Sequence, residues 1–391
     1  MAREFLRIKT SLHELGRKVV SLIDYGIWLA FDTTKFKRID SSSIKKILIV
    51  LINQEKGNVG GNFATLGVLN CFKKYHPKVD VAILADKRTV RQFDEVNKIR
   101  LIEYKGKETL GKIRKEGFDA VLILTPGDLT PFDLSFIPYR IGYTHLGISG
   151  FFRRKKLGYT RKVYNKMNQH MVELRFKMLE ALGFKFKQKK PFLEFTKLEE
   201  ENVRKLLRRH KIKKFIIIHP GGKYVAEFYR RGRWTPHLWN LDRYAKVADY
   251  FAKKGYKIII TGSKDEEILT YEIIKNAIQK QKIISVCGKL SVRETGALLK
   301  KASCLIATDT AVVHIAYQIG VPVVELMGPS IPEVVGAWPL NSKKHKILVD
   351  RGPCYRSMRK LPFSDNFNCL KNIKTEDVIR AGEELIHYKE K

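Results

Sequence analysis

Two short segments place anion-binding residue types directly after apolar runs that read as buried strands. In IATDTAVVHIA, Asp309, Thr310 and Ala311 follow such a run, and His314 lies one helical turn further on. Asp309 is a favourable N-cap residue, and the first backbone N–H groups of a helix have no partner within it. A helix N-terminus beside a hydroxyl suits a diphosphate, which His314 could also reach. A capping Asp and a core His without any ligand are the alternative.

The turn in IIIHPGGKY is the second segment. His219 ends an apolar run there, and Gly221 and Gly222 form a flexible loop that could cradle an anion. A third turn, TGSKDEE, offers Glu266 or Glu267 to the hydroxyls of a ribose, although such carboxylates could equally be helix-opening charges. Several strand-end turns with suitable chemistry in one half of the chain favour a nucleotide pocket.

An arginine cluster follows the second turn, in RRGRWTPHLW. Arg230, Arg231 and Arg233 stand beside Trp234, and guanidinium groups can neutralise phosphate oxygens through paired N–H bonds. Alone, such a cluster is as well explained by a solvated face or a nucleic-acid contact.

The stretch EKGNVGGNFATLG (55–67) follows the apolar run KILIVLI (46–52). Its glycines permit close approach to the backbone or form a tight turn. It is neither G-x-G-x-x-G nor a P-loop, because no Lys-Ser/Thr follows the glycines.

Apolar runs and amphipathic segments alternate along the chain, which predicts an α/β protein of two doubly wound halves with a cleft at the carboxyl ends of their strands. Helices are expected over 63–75 and 90–97, a long basic helical stretch over about 160–183, and a linker over 182–195. Buried parallel strands are expected within 46–52, 80–86, 120–124, 215–222, 256–266, 282–286, 303–310 and 321–329.

Composition sets limits on the function. The 391 residues are 44% hydrophobic and 29% charged, as in globular proteins, and 75 Lys+Arg against 40 Asp+Glu give a charge of +35. This charge attracts polyanions such as nucleic acid, anionic lipid or phosphorylated substrates. Five dispersed cysteines without CxxC spacing indicate a reducing compartment. No apolar run is long enough to cross a membrane. The N-terminal 30 residues have helical apolar spacing, typical of a helix packed on its own domain or lying on an anionic membrane.

Taken together, HPGG, the R-W-T-P segment, TGSKDE, CGKLSVRETGALLKKA, TDTAVVHIA and GVPVVELMGPSIPE resemble glycosyltransferase family nine, the bacterial heptosyltransferases of the lipopolysaccharide inner core. The resemblance runs from about Lys45 to the C-terminus. It implies a GT-B fold of two Rossmann-like domains facing across a cleft, an ADP-heptose donor held mainly by the second domain, and inversion at the sugar carbon.

The matching motifs imply roles for individual residues of this chain. Asp309, Thr310, Ala311 and His314 match the D-T-G-x-x-H donor motif, with Ala311 in place of glycine. Gly232 stands where a phosphate-binding lysine is expected, so Arg231 or Arg233 would supply that charge. The resemblance assigns donor binding to His219, Gly221, Gly222, Arg231, Arg233, Glu266, Gly288, Lys289, Asp309, Thr310, Ala311 and His314.

This chain differs from the family's pattern at the position of the general base. The glycine-rich loop resembles the family's first-domain G-D loop, whose aspartate takes the proton of the acceptor hydroxyl, but this chain reads Gly57-Asn58. Asparagine cannot act as a base at neutral pH. Glu55 or Asp128 could substitute, the reaction could rely on positioning and a good leaving group, or the protein could bind without catalysis.

The acceptor is expected on the first domain. Gly57 and the basic run Arg153, Arg154, Lys155 and Lys156 in FFRRKKLGYTRK would meet an anionic glycolipid, although a solvated or RNA-binding face is the alternative. No RNP or KH signature is present, so no nucleic-acid partner is expected. No metal is expected, since the sequence has no D-x-D pair, and no cofactor is needed beyond the nucleotide-sugar substrate.

These inferences predict a metal-independent, inverting heptosyltransferase, monomeric and at the cytoplasmic membrane surface. The predicted parts are an N-terminal amphipathic extension (1–44), an acceptor domain (45–190), a donor domain (191–370) and a C-terminal helix (371–391) that could pack back on the acceptor domain. The alternatives are a related transferase with another nucleotide sugar or a protein acceptor, and a degenerate lipid- or nucleic-acid-binding protein.

Overall fold

The computed structural model describes residues 39–52, 59–93, 99–125, 129, 131, 133–144, 159–165, 169–233, 235–351 and 370–390. These residues form two compact units, each built around one six-stranded parallel sheet. The second unit comprises the residues from 190 onward together with two earlier segments, 59–71 and 170–172. Part of the glycine-rich stretch therefore belongs to the unit of the second sheet.

The first sheet has the strand order β3-β2-β1-β4-β5-β6, and every neighbouring pair is parallel. Its strands are β1 (Lys46–Leu51), β2 (Asp80–Ala85), β3 (Arg100–Glu103), β4 (Ala120–Thr125), β5 (Tyr139–Thr144) and β6 (Arg161–Tyr164). The helices in this part of the chain are α1 (Val59–Tyr75), α2 (Lys87–Phe93), α3 (Lys107–Glu116) and α4 (Met171–Glu180). The central strands β1, β2 and β4 are almost fully buried, which explains their unbroken apolar sequences.

One predicted element of this half is wrong. The sequence analysis expects one helical stretch over about 160–183, but residues 161–164 form the edge strand β6 and the helix α4 begins only at Met171. The short sequence RKVY carries three polar or basic residues, so it lacks the apolar run by which buried strands are identified. The linker region 182–195 contains neither helix nor strand, as predicted.

The second sheet has the order β12-β11-β10-β7-β8-β9, again with parallel neighbours. Its strands are β7 (Phe215–His219), β8 (Lys257–Ile260), β9 (Ile283–Ser285), β10 (Leu305–Thr308), β11 (Val323–Met327) and β12 (His345–Val349). The helices are α5 (Lys197–Arg209), α6 (Lys223–Arg230), α7 (Leu241–Lys253), α8 (Glu267–Asn276), α9 (Val292–Leu299), α10 (Ala311–Gln318), α11 (Pro332–Val335) and α12 (Thr375–Glu390). Within the described ranges, no helix is long and apolar enough to cross a membrane.

The C-terminal helix α12 belongs to the core of the second sheet. Val378, Ala381 and Leu385 are buried in the same hydrophobic cluster as Phe251 of α7. Gly382 faces the Phe251 ring, where an added Cβ would lie 2.7 Å from Cζ. The sequence analysis allowed this helix to pack on the acceptor domain, but its apolar face is used by the second core instead.

A buried ion pair fixes α5 against α9. Arg293 donates to both carboxylate oxygens of Glu199, at 2.5 Å from Nε and 3.0 Å from Nη2, and both side chains are about one-tenth exposed. Glu199 also completes a capping box with Thr196 at the start of α5. One carboxylate therefore serves the helix cap and the helix–helix contact together.

Each sheet reverses its strand order once. In the first sheet the chain builds outward from β1 and then returns to β4 beside it; in the second sheet β7 and β10 hold the same two positions. Ligands of doubly wound folds bind at such switch points, outside the carboxyl ends of the strands. In the second sheet this point lies between His219, at the end of β7, and Thr308, at the end of β10.

Candidate active site

The switch point of the second sheet brings together turns that are far apart in sequence. β7 and β10 pair through Ala307 and His219, and the Thr308 hydroxyl donates to the carbonyl oxygen of Pro220 at 3.5 Å. The HPGG turn and the segment Asp309–His314 are therefore neighbours.

The helix α10 begins one residue later than predicted. Its N-cap residue is Thr310, in extended conformation, and the first helical residue is Ala311. The prediction of Asp309 as N-cap is therefore wrong, because the chain stays extended for one more residue after β10. Thr310 makes no side-chain capping bond, and its Oγ1 atom is buried without a hydrogen-bond partner among the described residues.

His314 is held from both of its sides. It is 5% exposed and makes an edge-to-face contact with Tyr317, with ring centroids 5.8 Å apart. Across from it stands Gly60 of α1, where an added Cβ would lie 3.0 Å from Nε2 of His314, nearer still to its Cδ2 atom, and 3.4 Å from Cα of Ala311. The backbone of the glycine-rich stretch thus reaches the motif directly.

A second glycine of the stretch repeats this arrangement one turn of α10 later. The side-chain amide of Gln318 fills the space at Gly67 and donates to the carbonyl oxygens of His314 and, at 3.2 Å, Phe63. Sequence analysis missed this role of Gly60, Gly67 and Gln318. The seven-residue spacing of the two glycines on one face of α1 is the signal that could have indicated a close helix contact.

The third turn places Glu266 beside His219. Glu266 Oε2 accepts the Ser263 N–H at 2.7 Å in a capping box, and Oε1 lies 3.7 Å from His219 Nε2. The other ring nitrogen of His219 lies 3.0 Å from the Thr261 hydroxyl. Burial lowers the pKa of His219, with the Glu266 charge opposing this shift, so the imidazole is neutral at pH 7. The helix-opening role that sequence analysis kept as an alternative for Glu266 is therefore real.

A fourth turn meets the third. Gly288 has φ +69°, and its N–H donates to the Gly262 carbonyl at 2.9 Å. An added Cβ at Gly288 would lie 3.1 Å from Cβ of Lys264, so the two turns touch through backbone. Lys289 donates from Nζ to the Ser285 carbonyl at 3.2 Å.

The arginine cluster is tied to its own helix and turn. Arg230 donates to the Asp265 carbonyl at 2.8 Å, which links α6 to the TGSKDE turn. Arg231 pairs with Glu227 at 2.7 Å, and the guanidinium of Arg233 lies 5.1 Å from the Phe228 ring centroid. Gly222 is the N-cap of α6, and Gly221 packs on Val225. The guanidinium groups of Arg231 and Arg233 remain exposed.

Two groups that sequence analysis did not select, His237 and Glu325, interact with Asp309. Burial lowers the pKa of His237, and the Asp309 charge acts against this shift. Burial raises the pKa of the Glu325 carboxyl on β11 well above its ordinary range, and Asp309 adds to this effect. A charged residue type inside the apolar run VPVVELMGP is the sequence signal that could have identified Glu325.

Several predicted site residues lie outside the described residues. These are Glu55, Gly57, Asn58, Asp128, Arg153, Arg154, Lys155 and Lys156, together with Trp234 of the arginine cluster. In the part of the chain that is described, no group of three or more His, Cys, Asp or Glu side chains could hold a metal ion.

Two doubly wound parallel sheets of six strands each form the α/β architecture of glycosyltransferases with the GT-B fold. A family model described as glycosyltransferase family 9 (heptosyltransferase) matches residues 109–363, and the chain belongs to this family.

Curated relatives agree with this assignment. The chain is 24% identical over 356 residues to lipopolysaccharide heptosyltransferase 3 of Escherichia coli strain K12, which covers 84% of this chain and 95% of that protein. It is 26% identical over 254 residues to lipooligosaccharide heptosyltransferase 2 of Haemophilus influenzae, covering 62% and 69% respectively.

Solved structures share the fold. A glycosyl transferase of family 9 from Veillonella parvula superposes with a TM-score of 0.69 at 20% identity, over 90% of this chain and 99% of that one. Escherichia coli ADP-heptose lps heptosyltransferase II superposes with a TM-score of 0.66 at 16% identity, over 88% and 100%.

Proposed function

We propose that this glycosyltransferase transfers heptose from ADP-heptose to a sugar hydroxyl of the lipopolysaccharide inner core, with inversion. The supporting observation is the convergence of the HPGG turn, the TGSKDE turn and the start of α10 at one switch point. Membership of family 9 and the heptosyltransferase names of the relatives support the sugar.

The donor is proposed to lie along this strand-end edge. Its diphosphate would accept N–H groups at the start of α10 and the Thr310 hydroxyl, whose oxygen has no other hydrogen-bond partner in the described chain. Arg231 and Arg233, both exposed, would turn from their surface contacts to the phosphates. Gly221, Gly222, Gly288 and Lys289 line the neighbouring turns. Glu266 is assigned to the hydroxyls of the ribose, and His219 lies 3.7 Å from the Glu266 carboxylate.

The transfer step forms one bond and breaks one. The acceptor oxygen attacks the anomeric carbon as the bond from that carbon to the diphosphate breaks and ADP leaves. The acceptor proton goes to a carboxylate, for which Glu55 and Asp128 are the candidates since Asn58 cannot take it. Glu55→Gln or Asp128→Asn should then lower kcat about 10²- to 10⁴-fold, while ADP affinity stays constant. Constant kcat in both variants would favour catalysis by positioning alone.

The acceptor is proposed to meet Gly57 and the basic run 153–156. Replacing Arg153, Arg154, Lys155 and Lys156 with Ala should raise the acceptor KM and its salt sensitivity without changing ADP affinity. Peripheral association with the inner face of the cytoplasmic membrane, through the basic surface and the N-terminal extension, is part of the same proposal. Co-sedimentation with anionic and neutral vesicles, with and without residues 1–38, tests it.

The first experiment is calorimetric titration with ADP and ADP-heptose, against UDP- and GDP-sugars and a short RNA. Saturable binding that selects the ADP compounds and is lost in Asp309→Ala supports the proposed donor. Asp377→Ala is the control for removal of an acidic side chain, because Asp377 is partly exposed on α12 and pairs with Arg380. Selection of another nucleotide would redirect the donor assignment, and binding of RNA alone would contradict a transferase.

A further inference from the structure

Glu325 is a fully buried carboxylic acid in the middle of a parallel strand. Its exposure is 0%, and β11 lies between β10 and β12, so it has strands on both sides. Acidic residues are almost never fully buried unless they are paired. Burying this carboxyl group therefore costs free energy, which local interactions must offset.

One carboxyl oxygen fixes the segment that follows α11. Glu325 Oε2 accepts the N–H of Ala337 at 2.8 Å, whereas Oε1 is buried and has no hydrogen-bond partner in the described part of the chain. The backbone on either side is held as well: the Gly336 carbonyl lies 2.8 Å from His170 Nε2, and the Trp338 carbonyl 3.1 Å from His345 Nε2. Side chains from three places thus bind successive residues of segment 336–338.

The same side chain faces the donor motif. Glu325 pairs with Ala307 across β10 and β11, and side chains alternate between the two faces of a strand. Ala307 therefore shares a face with Glu325, and Asp309 follows two residues later, just beyond the end of β10. The Asp309 charge acts on the Glu325 carboxyl together with burial to raise its pKa.

We propose that Glu325 is a positioning residue of the donor site, which as an uncharged acid anchors segment 336–338 and leaves Asp309 without a repelling neighbour. The inference rests on the proposed function, in which ADP binding is lost in Asp309→Ala. It adds a residue outside the strand-end turns to the set that determines donor affinity.

Ionisation of Glu325 would reverse its effect. A second negative charge near Asp309, in a buried layer of low dielectric constant, would repel the Asp309 carboxylate. The neighbouring titratable groups are His237, which interacts with Asp309, His219, which pairs with Ala307 across β7 and β10, and His345 at the start of β12. Burial lowers the pKa of all three imidazoles. They are neutral above pH 7, so an alkaline change in donor affinity would not come from them.

The test compares the wild type with Glu325→Gln and Glu325→Ala. Dissociation constants for ADP are measured by calorimetry from pH 6.5 to 9.5. Gln keeps an oxygen for the Ala337 N–H and carries no charge, so its Kd should stay within about twofold of wild type at pH 7. Ala leaves that N–H without its acceptor and should weaken ADP binding about five- to hundredfold. The wild type should lose affinity on the alkaline side, and Glu325→Gln should not.

Glu384→Gln is the control for removal of a carboxylate. Glu384 is half-exposed on α12 and pairs with Lys346, so its loss should leave the pH profile unchanged. Equal Kd values for Glu325→Ala and wild type, or the same alkaline loss in Glu325→Gln, would overturn the inference. Failure of the wild type itself to bind ADP would instead contradict the proposed donor.

Hydrogen–deuterium exchange supplies a readout that needs no donor. Peptides covering residues 330–340 should exchange faster in Glu325→Ala and at the wild-type rate in Glu325→Gln, because only the former loses the bond to Ala337. Unchanged exchange in Glu325→Ala would refute the anchoring role even if ADP does not bind.

Discussion

Replacing Gly60 with alanine tests the contact between the glycine-rich stretch and the donor motif. The new methyl group would lie 3.0 Å from Nε2 of His314 and 3.4 Å from Cα of Ala311. The imidazole cannot simply swing away, since it is 5% exposed and packs edge-on against Tyr317. Either the ring or the helix α10 must shift.

The size of the effect follows from two opposing contributions. Inserting a methyl group into a packed site costs about 1–3 kcal/mol, and replacing glycine by alanine inside a helix returns roughly 0.5–1 kcal/mol. Gly111, in α3, is a matched control, because an added Cβ there has nothing within 4 Å. Gly111→Ala should therefore stabilise the protein, and the difference between the two variants should equal the packing cost of about 1–3 kcal/mol.

Urea unfolding and ADP calorimetry measure the two consequences separately. Gly60→Ala should unfold at lower urea than Gly111→Ala. Its ADP affinity should fall by about tenfold, which is about 1.4 kcal/mol, because the new methyl group would displace the start of α10, where the diphosphate is proposed to bind. Gly111→Ala should bind ADP as the wild type does. If Gly60→Ala is stabilised like the control and binds ADP normally, the contact has no role in holding His314.

Three further predictions concern stability. Arg293→Met should lower the free energy of unfolding, measured in urea, by about 3–5 kcal/mol, because it leaves the Glu199 carboxylate buried without its partner. Adding Glu199→Gln to this variant should recover part of the lost stability. A loss below about 1 kcal/mol in the single variant would contradict burial of the pair. Above about pH 4.3 the folded wild type keeps a proton on Glu325 that the unfolded chain releases. Its free energy of unfolding should therefore fall by about 1.4 kcal/mol more per pH unit than that of Glu325→Gln, until the pH passes the folded pKa. Equal slopes of the two proteins in urea titrations at pH 5–8 would refute this. Gly288→Ala should lower the thermal unfolding temperature more than Gly255→Ala does. Both glycines have positive φ, but of the two only Gly288 packs against another turn. Equal losses in the two variants would mean that the turns do not touch.

The main strands and the order of the site turns could be predicted from sequence because they depend on local patterns. Apolar runs identify the central strands, and glycine or acidic residues after them mark the turns. The edge strands β3 and β6 could not be identified in this way, since Arg100–Glu103 and Arg161–Tyr164 carry charges suited to a partly exposed edge.

The finer arrangement of the site depends on distant residues. The N-cap of α10 is Thr310 and not the predicted Asp309. N-cap preference alone cannot resolve this shift of one residue, because both residue types are good caps. The contact of Gly60 with His314 joins positions far apart in the chain, and the buried state of Glu325 depends on which strands flank β11. Both are properties of the packed fold.

The membership of residues 59–71 in the second unit has a consequence for dissecting the chain. A fragment cut at the linker, starting at residue 190, would contain the whole second sheet but would lack the partners of α10. The Gln318 amide would lose the Phe63 carbonyl. The Phe192 N–H would lose the Gly67 carbonyl that accepts it, and the Phe192 carbonyl would lose the Asn70 amide that donates to it. The second unit is therefore incomplete when the chain is cut at the linker, and complementation by a peptide of residues 59–75 is the way to restore it.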